Sequence, residues 1–130
     1  MNERDSLNVV NDQIGAPTAA GWIAFESGIM AEKILSWDVE RRRQNSGIYH
    51  LSAGGEASWF DFAGEILKSL NLAGQVDCAI SPIPSSDYPL PSPRPKNSLM
   101  SNRKRAMNFG RPQLDWITQY YAEVGAVLRG

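Results

Sequence analysis

Two short clusters hold the residues best suited to chemistry. One is Arg94-Pro95-Lys96-Asn97-Ser98, which closes the run Ser81–Ser98. The other is Asn11-Asp12-Gln13-Ile14-Gly15-Ala16-Pro17-Thr18. Arg94 offers a planar fork suited to two phosphate oxygens at once. Asn97 can donate and accept in the plane of a sugar or base edge, and Lys96 adds positive charge. Asp12, Gln13 and Thr18 supply donors and acceptors at the mouth of a turn. The two clusters read as halves of one binding site. A purely structural reading exists beside it: Arg94 pairs with Asp87 or Asp12, and Asn97 closes a turn.

Reactive constellations are missing from the sequence. No nucleophile is paired with a base, and no two carboxylates flank an obvious cleft, so no catalytic residue is assigned. The single cysteine, Cys78, and the single histidine, His50, read as packing residues and leave no zinc site. With one cysteine no internal disulfide forms, which favours a reducing compartment. Gly54-Gly55 follows an apolar run and precedes a helix, yet the third glycine of a dinucleotide turn is lacking, so it reads as a tight turn. None of the four tyrosines begins a Tyr-x-x-x-Lys.

Those clusters need elements to hold them. The run Ser81–Ser98 contains six of the eight prolines. Proline fixes φ and removes a donor, so the run is a stiff extended loop, not a helix or inner strand. Leu7–Asn11 reads as a strand. Thr18 is an expected N-cap for a helix in which Trp22, Phe25, Ile29 and Ile23, Met30, Ile34 recur at helical spacing, a wide apolar face to lay on a sheet. That helix frays between Leu35 and Arg43. Ile48–Ser52 is the expected second strand. Ser58-Trp59-Phe60-Asp61 opens the next helix as a capping box, and Gly74 stops it. Cys78–Ile83 is a third strand, confined to an edge by Pro82 and Pro84. A short helix covers Asn102–Asn108. Pro112 suits the first turn of a last helix whose stripe runs Leu114, Ile117, Tyr121, Val124, Leu128.

Strands alternating with helices indicate α/β, with about three short strands and three to four helices. At 130 residues the chain fits one domain. A net charge of −1 lacks the basic footprint of a nucleic-acid binder. Arg41-Arg42-Arg43 reads as a solvated helix end. No apolar run is long enough for a membrane span or a signal peptide, so the expected compartment is the cytoplasm. Three strands are few for so many amphipathic helices, so apolar faces should be left over. The chain therefore reads as part of a larger unit or as a subunit.

At these same residues the sequence resembles the dTDP-4-dehydrorhamnose reductase family of the extended short-chain dehydrogenase/reductase superfamily, in its C-terminal half. The matching segments are Val9–Thr18, Gly47–Leu51, Ser58–Ala63, Pro84–Pro89 and Arg94–Leu99, with Asp115-Trp116 in the last helix. The resemblance implies a single nucleotide-sugar-binding domain over residues 1–130, the substrate-binding part of a reductase. Such enzymes reduce dTDP-4-dehydro-L-rhamnose with NADPH or NADH, giving dTDP-L-rhamnose for cell-surface polysaccharide such as O-antigen. It also implies roles: Arg94 as pyrophosphate ligand, Asn97 facing the nucleoside, and Gln13 and Thr18 bordering the cleft; Asp12, beside them in the turn, completes the expected substrate-binding set.

The N-terminal Rossmann domain of that family has no counterpart in these 130 residues. The isolated chain is therefore expected to be inactive and to bind no nicotinamide cofactor alone. Two glutamates that contribute to a magnesium-bridged dimer in some relatives correspond to Gly21 and Ala126, so no metal site is carried over. Expected partners are a dTDP-sugar, and either the Rossmann half or further copies meeting through exposed apolar surface. The alternative is a non-catalytic sugar-nucleotide-binding or regulatory subunit of a partner enzyme. A third reading takes Pro91-Ser92-Pro93-Arg94-Pro95 as a polyproline II ligand for an aromatic groove.

Overall fold

The computed structural model describes residues 6–72, 74, 78–88 and 90–127. The elements run β1 (Ser6–Val10), β2 (Ile14–Gly15), α1 (Ala20–Ser36), α2 (Val39–Gln44), β3 (Ala57–Ser58), α3 (Trp59–Leu72), β4 (Ala79–Ile83), a 3-10 turn (Ser85–Asp87), α4 (Arg103–Phe109) and α5 (Trp116–Val127). Four short strands and five α-helices thus replace the expected three strands and three to four helices. Leu128 lies outside the described residues. The chain divides into two compact units, Met1–Ala16 with Glu56–Leu99, and Pro17–Gly55 with Met100–Gly130.

The first unit holds all the named strands. β1 and β4 pair in parallel, from Ser6 opposite Ala79 to Val10 opposite Ile83. The ladder is extended by the Asn11 N–H, which donates to Ile83 O at 3.0 Å. Both strands of a two-stranded sheet have an open side, which is where Pro82 is tolerated. α3 packs on β1, β3 and β4. Its start is the expected capping box. The Ser58 N–H and hydroxyl donate to Asp61 Oδ2 at 2.8 and 2.7 Å, and the Asp61 N–H donates to Ser58 Oγ at 3.1 Å. After α3, the Gly74 N–H donates to Asn71 O.

Asp12 plays the same kind of role at long range. Its carboxylate accepts the Ser85 N–H and the Ser85 hydroxyl, both at 2.8 Å. The hydroxyl bond first, and then the amide bond, hold the Asp12 carboxyl below the usual carboxylate range. The 3-10 turn continues from that anchor, with Asp87 N–H to Pro84 O and Tyr88 N–H to Ser85 O.

The second unit contains no strand among the described residues, which corrects two expectations. Ile48–Ser52 is not a strand, and the unit that contains α1 supplies no sheet of its own for it to lie on among the described residues. Side chains satisfy the backbone there in place of a ladder. Asn102 Oδ1 accepts the Ser52 N–H at 3.1 Å, and Asn102 Nδ2 donates to Ser52 O at 2.8 Å. Gln113 Nε2 donates to Ala53 O at 2.8 Å, and the Ala53 N–H donates to Thr18 Oγ1 at 3.0 Å. Thr18 is consequently not the N-cap of α1. Ala19 takes that position, and its N–H is accepted by Oε1 of the buried Gln119 at 3.1 Å. Pro112 also lies outside α5, which starts at Trp116 after Asp115 accepts the Ile117 N–H.

The arginine run closes helix ends. Arg42 donates to the last carbonyls of α1, Ile34 O and Leu35 O. Arg41 lies 4.8 Å over the Trp37 ring, and Arg43 pairs with Glu40. Trp37 in turn stacks on Phe109 at 5.1 Å, with Tyr49 edge-on to Phe109 at 5.3 Å.

The one fully buried residue of α1 is a charge, Glu26. Arg105 Nη1 donates to Glu26 Oε2 at 2.8 Å, Arg111 Nε donates to the same oxygen at 3.0 Å, and Arg111 Nη2 donates to Oε1. Arg105 is fully buried, its Nη2 donates to Pro112 O, and its guanidinium lies 5.3 Å from the Trp22 ring centre. Arg111 hydrogen bonding, together with the charges of Arg111 and Arg105, holds the Glu26 carboxyl below its ordinary 4.5 despite burial.

Glu26→Ala leaves a buried guanidinium without its counter-charge and is expected to cost about 3–5 kcal/mol in chemical denaturation. A depressed folded pKa stabilises above the unfolded value. The contribution of Glu26 is therefore full above about pH 4.5 and fades as pH falls through its lower folded pKa. Glu26→Gln is expected to flatten that acid limb in pH-dependent melting. Asp12→Ala is expected to free the 3-10 turn. Faster hydrogen exchange at the Ser85 and Tyr88 amides and faster cleavage within residues 84–98 would register it, while unchanged exchange there would refute the anchor.

Candidate functional site

Ile14 organises the site. On one side it pairs with Ser58 of β3, and on the other with Asn97. Its N–H donates to Lys96 O at 2.8 Å, and Ile14 O accepts the Ser98 N–H at 2.9 Å. The Ser98 hydroxyl adds a third contact to Ile14 O at 3.2 Å. Gly15 permits the approach, because a Cβ there would stand 2.8 Å from Ser98 Oγ. The end of the proline loop is thereby fixed beside Gln13.

This pinning gives a cleft of about 310 Å³ within the first unit. Gln13, Ser85, Ser86, Ser92 and Arg94 line it with polar groups, and Tyr88, Leu90 and Pro93 supply apolar wall. Gln13 and Arg94 are thus brought to one concavity from positions about eighty residues apart in the sequence. Arg94 is exposed and makes no ion pair among the described residues, neither with Asp87 nor with Asp12. Its bidentate donor set is open to an anion.

The remaining candidates sit differently. Asp12 is not among the lining residues; both its oxygens are engaged by Ser85, so it positions one wall of the cleft. Asn97 accepts the Leu99 N–H on Oδ1 at 2.9 Å, the turn closure that the structural reading anticipated, and does not line the cleft. Thr18 belongs to the second unit, where its hydroxyl supports the Ala53 amide. The residues that sequence reasoning passed over are Ser85, Ser86, Tyr88, Leu90, Ser92 and Pro93. The available signal was a tyrosine and several hydroxyls spaced between prolines, which a stiff loop presents at fixed positions.

Neither turn nor charge favours a dinucleotide at Gly54-Gly55. The Gly54 N–H donates to Leu114 O, and the Trp116 N–H donates to Gly54 O. Gly55 has φ +74°, and a Cβ there would collide with the Asp115 carboxylate. A filled turn facing a carboxylate does not fit a pyrophosphate. Among the described residues no group of three or more His, Cys, Asp or Glu side chains could hold a metal ion. No helix among them is long and apolar enough to cross a membrane.

Known proteins resemble this chain along most of its length. The family model described as "RmlD substrate binding domain" matches residues 1–126. A dTDP-4-dehydrorhamnose reductase of Burkholderia thailandensis is 38% identical over 120 residues, 88% of this chain and 39% of that protein. The crystal structure of a dTDP-4-dehydrorhamnose reductase from Clostridium acetobutylicum superposes with a TM-score of 0.71 and 28% identity, over 98% of this chain and 40% of that one. That of the Bacillus anthracis enzyme, solved in complex with NADP, gives 0.65 and 28% over 90% and 36%. The chain thus spans between 36% and 40% of the length of these relatives. With the substrate-binding-domain model matched along nearly the whole sequence, the chain belongs to the dTDP-4-dehydrorhamnose reductase (RmlD) family.

Proposed function

We propose that this chain is the part of a dTDP-4-dehydrorhamnose reductase that holds the nucleotide-sugar, dTDP-4-dehydro-L-rhamnose, for reduction to dTDP-L-rhamnose. The observation that carries the reading is the Arg94 guanidinium, without an ion pair among the described residues, on the same cleft as Gln13. In this reading Arg94 grips the diphosphate, Gln13 borders the nucleotide, and Asn97 keeps its Nδ2 to donate at the mouth. Asp12 acts through Ser85 by fixing the cleft wall. Thr18 acts within the second unit, where its hydroxyl holds the Ala53 amide.

Hydride and proton come from outside these residues. The sequence offers no Tyr-x-x-x-Lys, and the one glycine pair is filled by Asp115. The NADP of the Bacillus anthracis relative supports a nicotinamide dinucleotide as the hydride source of the whole enzyme. The chain then works against a dinucleotide-binding partner region, and the apolar side chains left exposed are the natural contact for it. They include Phe25, Leu35, Val39 and Ile48 in the second unit and Trp59 and Leu72 in the first.

Calorimetric titration of the chain with dTDP-L-rhamnose is expected to show binding that Arg94→Ala weakens at least tenfold and Arg94→Lys only partly restores. The same protein with NADPH and ketosugar is expected to give no turnover. Unchanged affinity in Arg94→Ala, or robust turnover by the chain alone, would sink the reading. Sedimentation of the purified chain is expected to show self-association through the exposed apolar residues; a monodisperse monomer would count against a missing partner surface.

A further inference from the structure

We propose that the Tyr88 ring is the stacking face for the nucleobase of a pyrimidine nucleoside diphosphate in the cleft of the first unit. This rests on the reading of Arg94 as the diphosphate ligand and adds a specificity-determining residue to it.

Tyr88 is 54% exposed although it is large and aromatic. Its side chain makes no hydrogen bond or ring contact among the described residues. A half-exposed aromatic ring on a cleft wall, with no ring partner among the described residues, keeps surface for a flat ligand. The backbone under it is rigidly held. The Tyr88 N–H donates to Ser85 O at 3.2 Å, and Ser85 itself is fixed twice by the Asp12 carboxylate. A ring so placed loses little conformational freedom when a flat ligand settles on it.

The surroundings suit one end of a nucleotide-sugar. Leu90 and Pro93 extend the apolar wall; the Ser85 and Ser86 hydroxyls donate to Asp12 and Asp87 and keep lone pairs that can accept from a sugar hydroxyl, and Ser92 adds a third hydroxyl. The Gln13 amide can donate and accept along a base edge. At about 310 Å³ the cleft is at the small end for ligand sites. That is room for a pyrimidine nucleoside with its phosphates at Arg94.

The test compares dTDP with inorganic pyrophosphate by calorimetry on the full chain, with circular dichroism to confirm folding of each variant. Base stacking predicts that Tyr88→Ala weakens dTDP about tenfold or more and leaves pyrophosphate affinity unchanged. Tyr88→Phe keeps the π-face and should bind dTDP as the unmodified chain does. Arg94→Ala should weaken both ligands. If Tyr88→Ala leaves dTDP binding intact while Arg94→Ala lowers it, the stacking assignment is wrong and the diphosphate site stands. Equal losses for dTDP and pyrophosphate in Tyr88→Ala would also overturn stacking, as would failure of Tyr88→Phe to retain affinity. If the unmodified chain binds neither ligand, both assignments fall.

Discussion

Everything proposed for this chain depends on one residue's backbone being shared between two neighbours. Ile14 gives its N–H to Lys96 and its carbonyl to Ser98, while the same short strand pairs with Ala57–Ser58 on its other side. Proline-rich segments are poor at joining sheets because they lack donors. Here the contact is made at Lys96–Ser98, the first stretch after the prolines in which successive residues carry an N–H. The stiff run before it is then held at its far end, and the Asp12–Ser85 contact holds it near its start. A loop tied at both ends can present Arg94 without burying it.

The second unit solves a different problem with different means. Its core aromatic stack is small, and several of its inner positions are polar: Glu26, Ser52, Asn102, Arg105 and Gln119. Burial of such groups is tolerable only when they are paired. Asn102 and Gln113 take over the bonds a neighbouring strand would make to residues 52–53, and Gln119 supplies what Thr18 does not at the start of α1. Among the described residues one buried side-chain atom, the Arg105 Nε, has no hydrogen-bond partner. Polar pairing of this kind gives register and direction more than it gives net stability.

How much of this was legible follows from the reach of each interaction. The Ser58–Asp61 box, the Gly74 stop, the strand at the start and the helix near Asn102–Asn108 are local, and local spacing reports them. The strand expected at Ile48–Ser52 failed because its backbone partners are side chains about fifty positions away. Thr18 failed as a cap because a distant amide, that of Ala53, competes for its hydroxyl. Asp12 looked like a ligand-facing acid, since no spacing rule links it to Ser85. Of the residues that line the cleft, Arg94 and Gln13 stand out in the sequence by their chemistry alone. Tyr88 does not, because a tyrosine between prolines is as often packing as it is wall.

Each unit is assembled from two stretches of chain: the first takes the start and Glu56–Leu99, the second takes Pro17–Gly55 and the end. The backbone therefore passes from one to the other three times, near Ala16, Gly55 and Leu99. No single cut can release either unit as a continuous peptide. A minimal excised version would have to bridge residues 16 and 56 with an artificial joint, next to the short strand Ile14–Gly15 that follows Gln13.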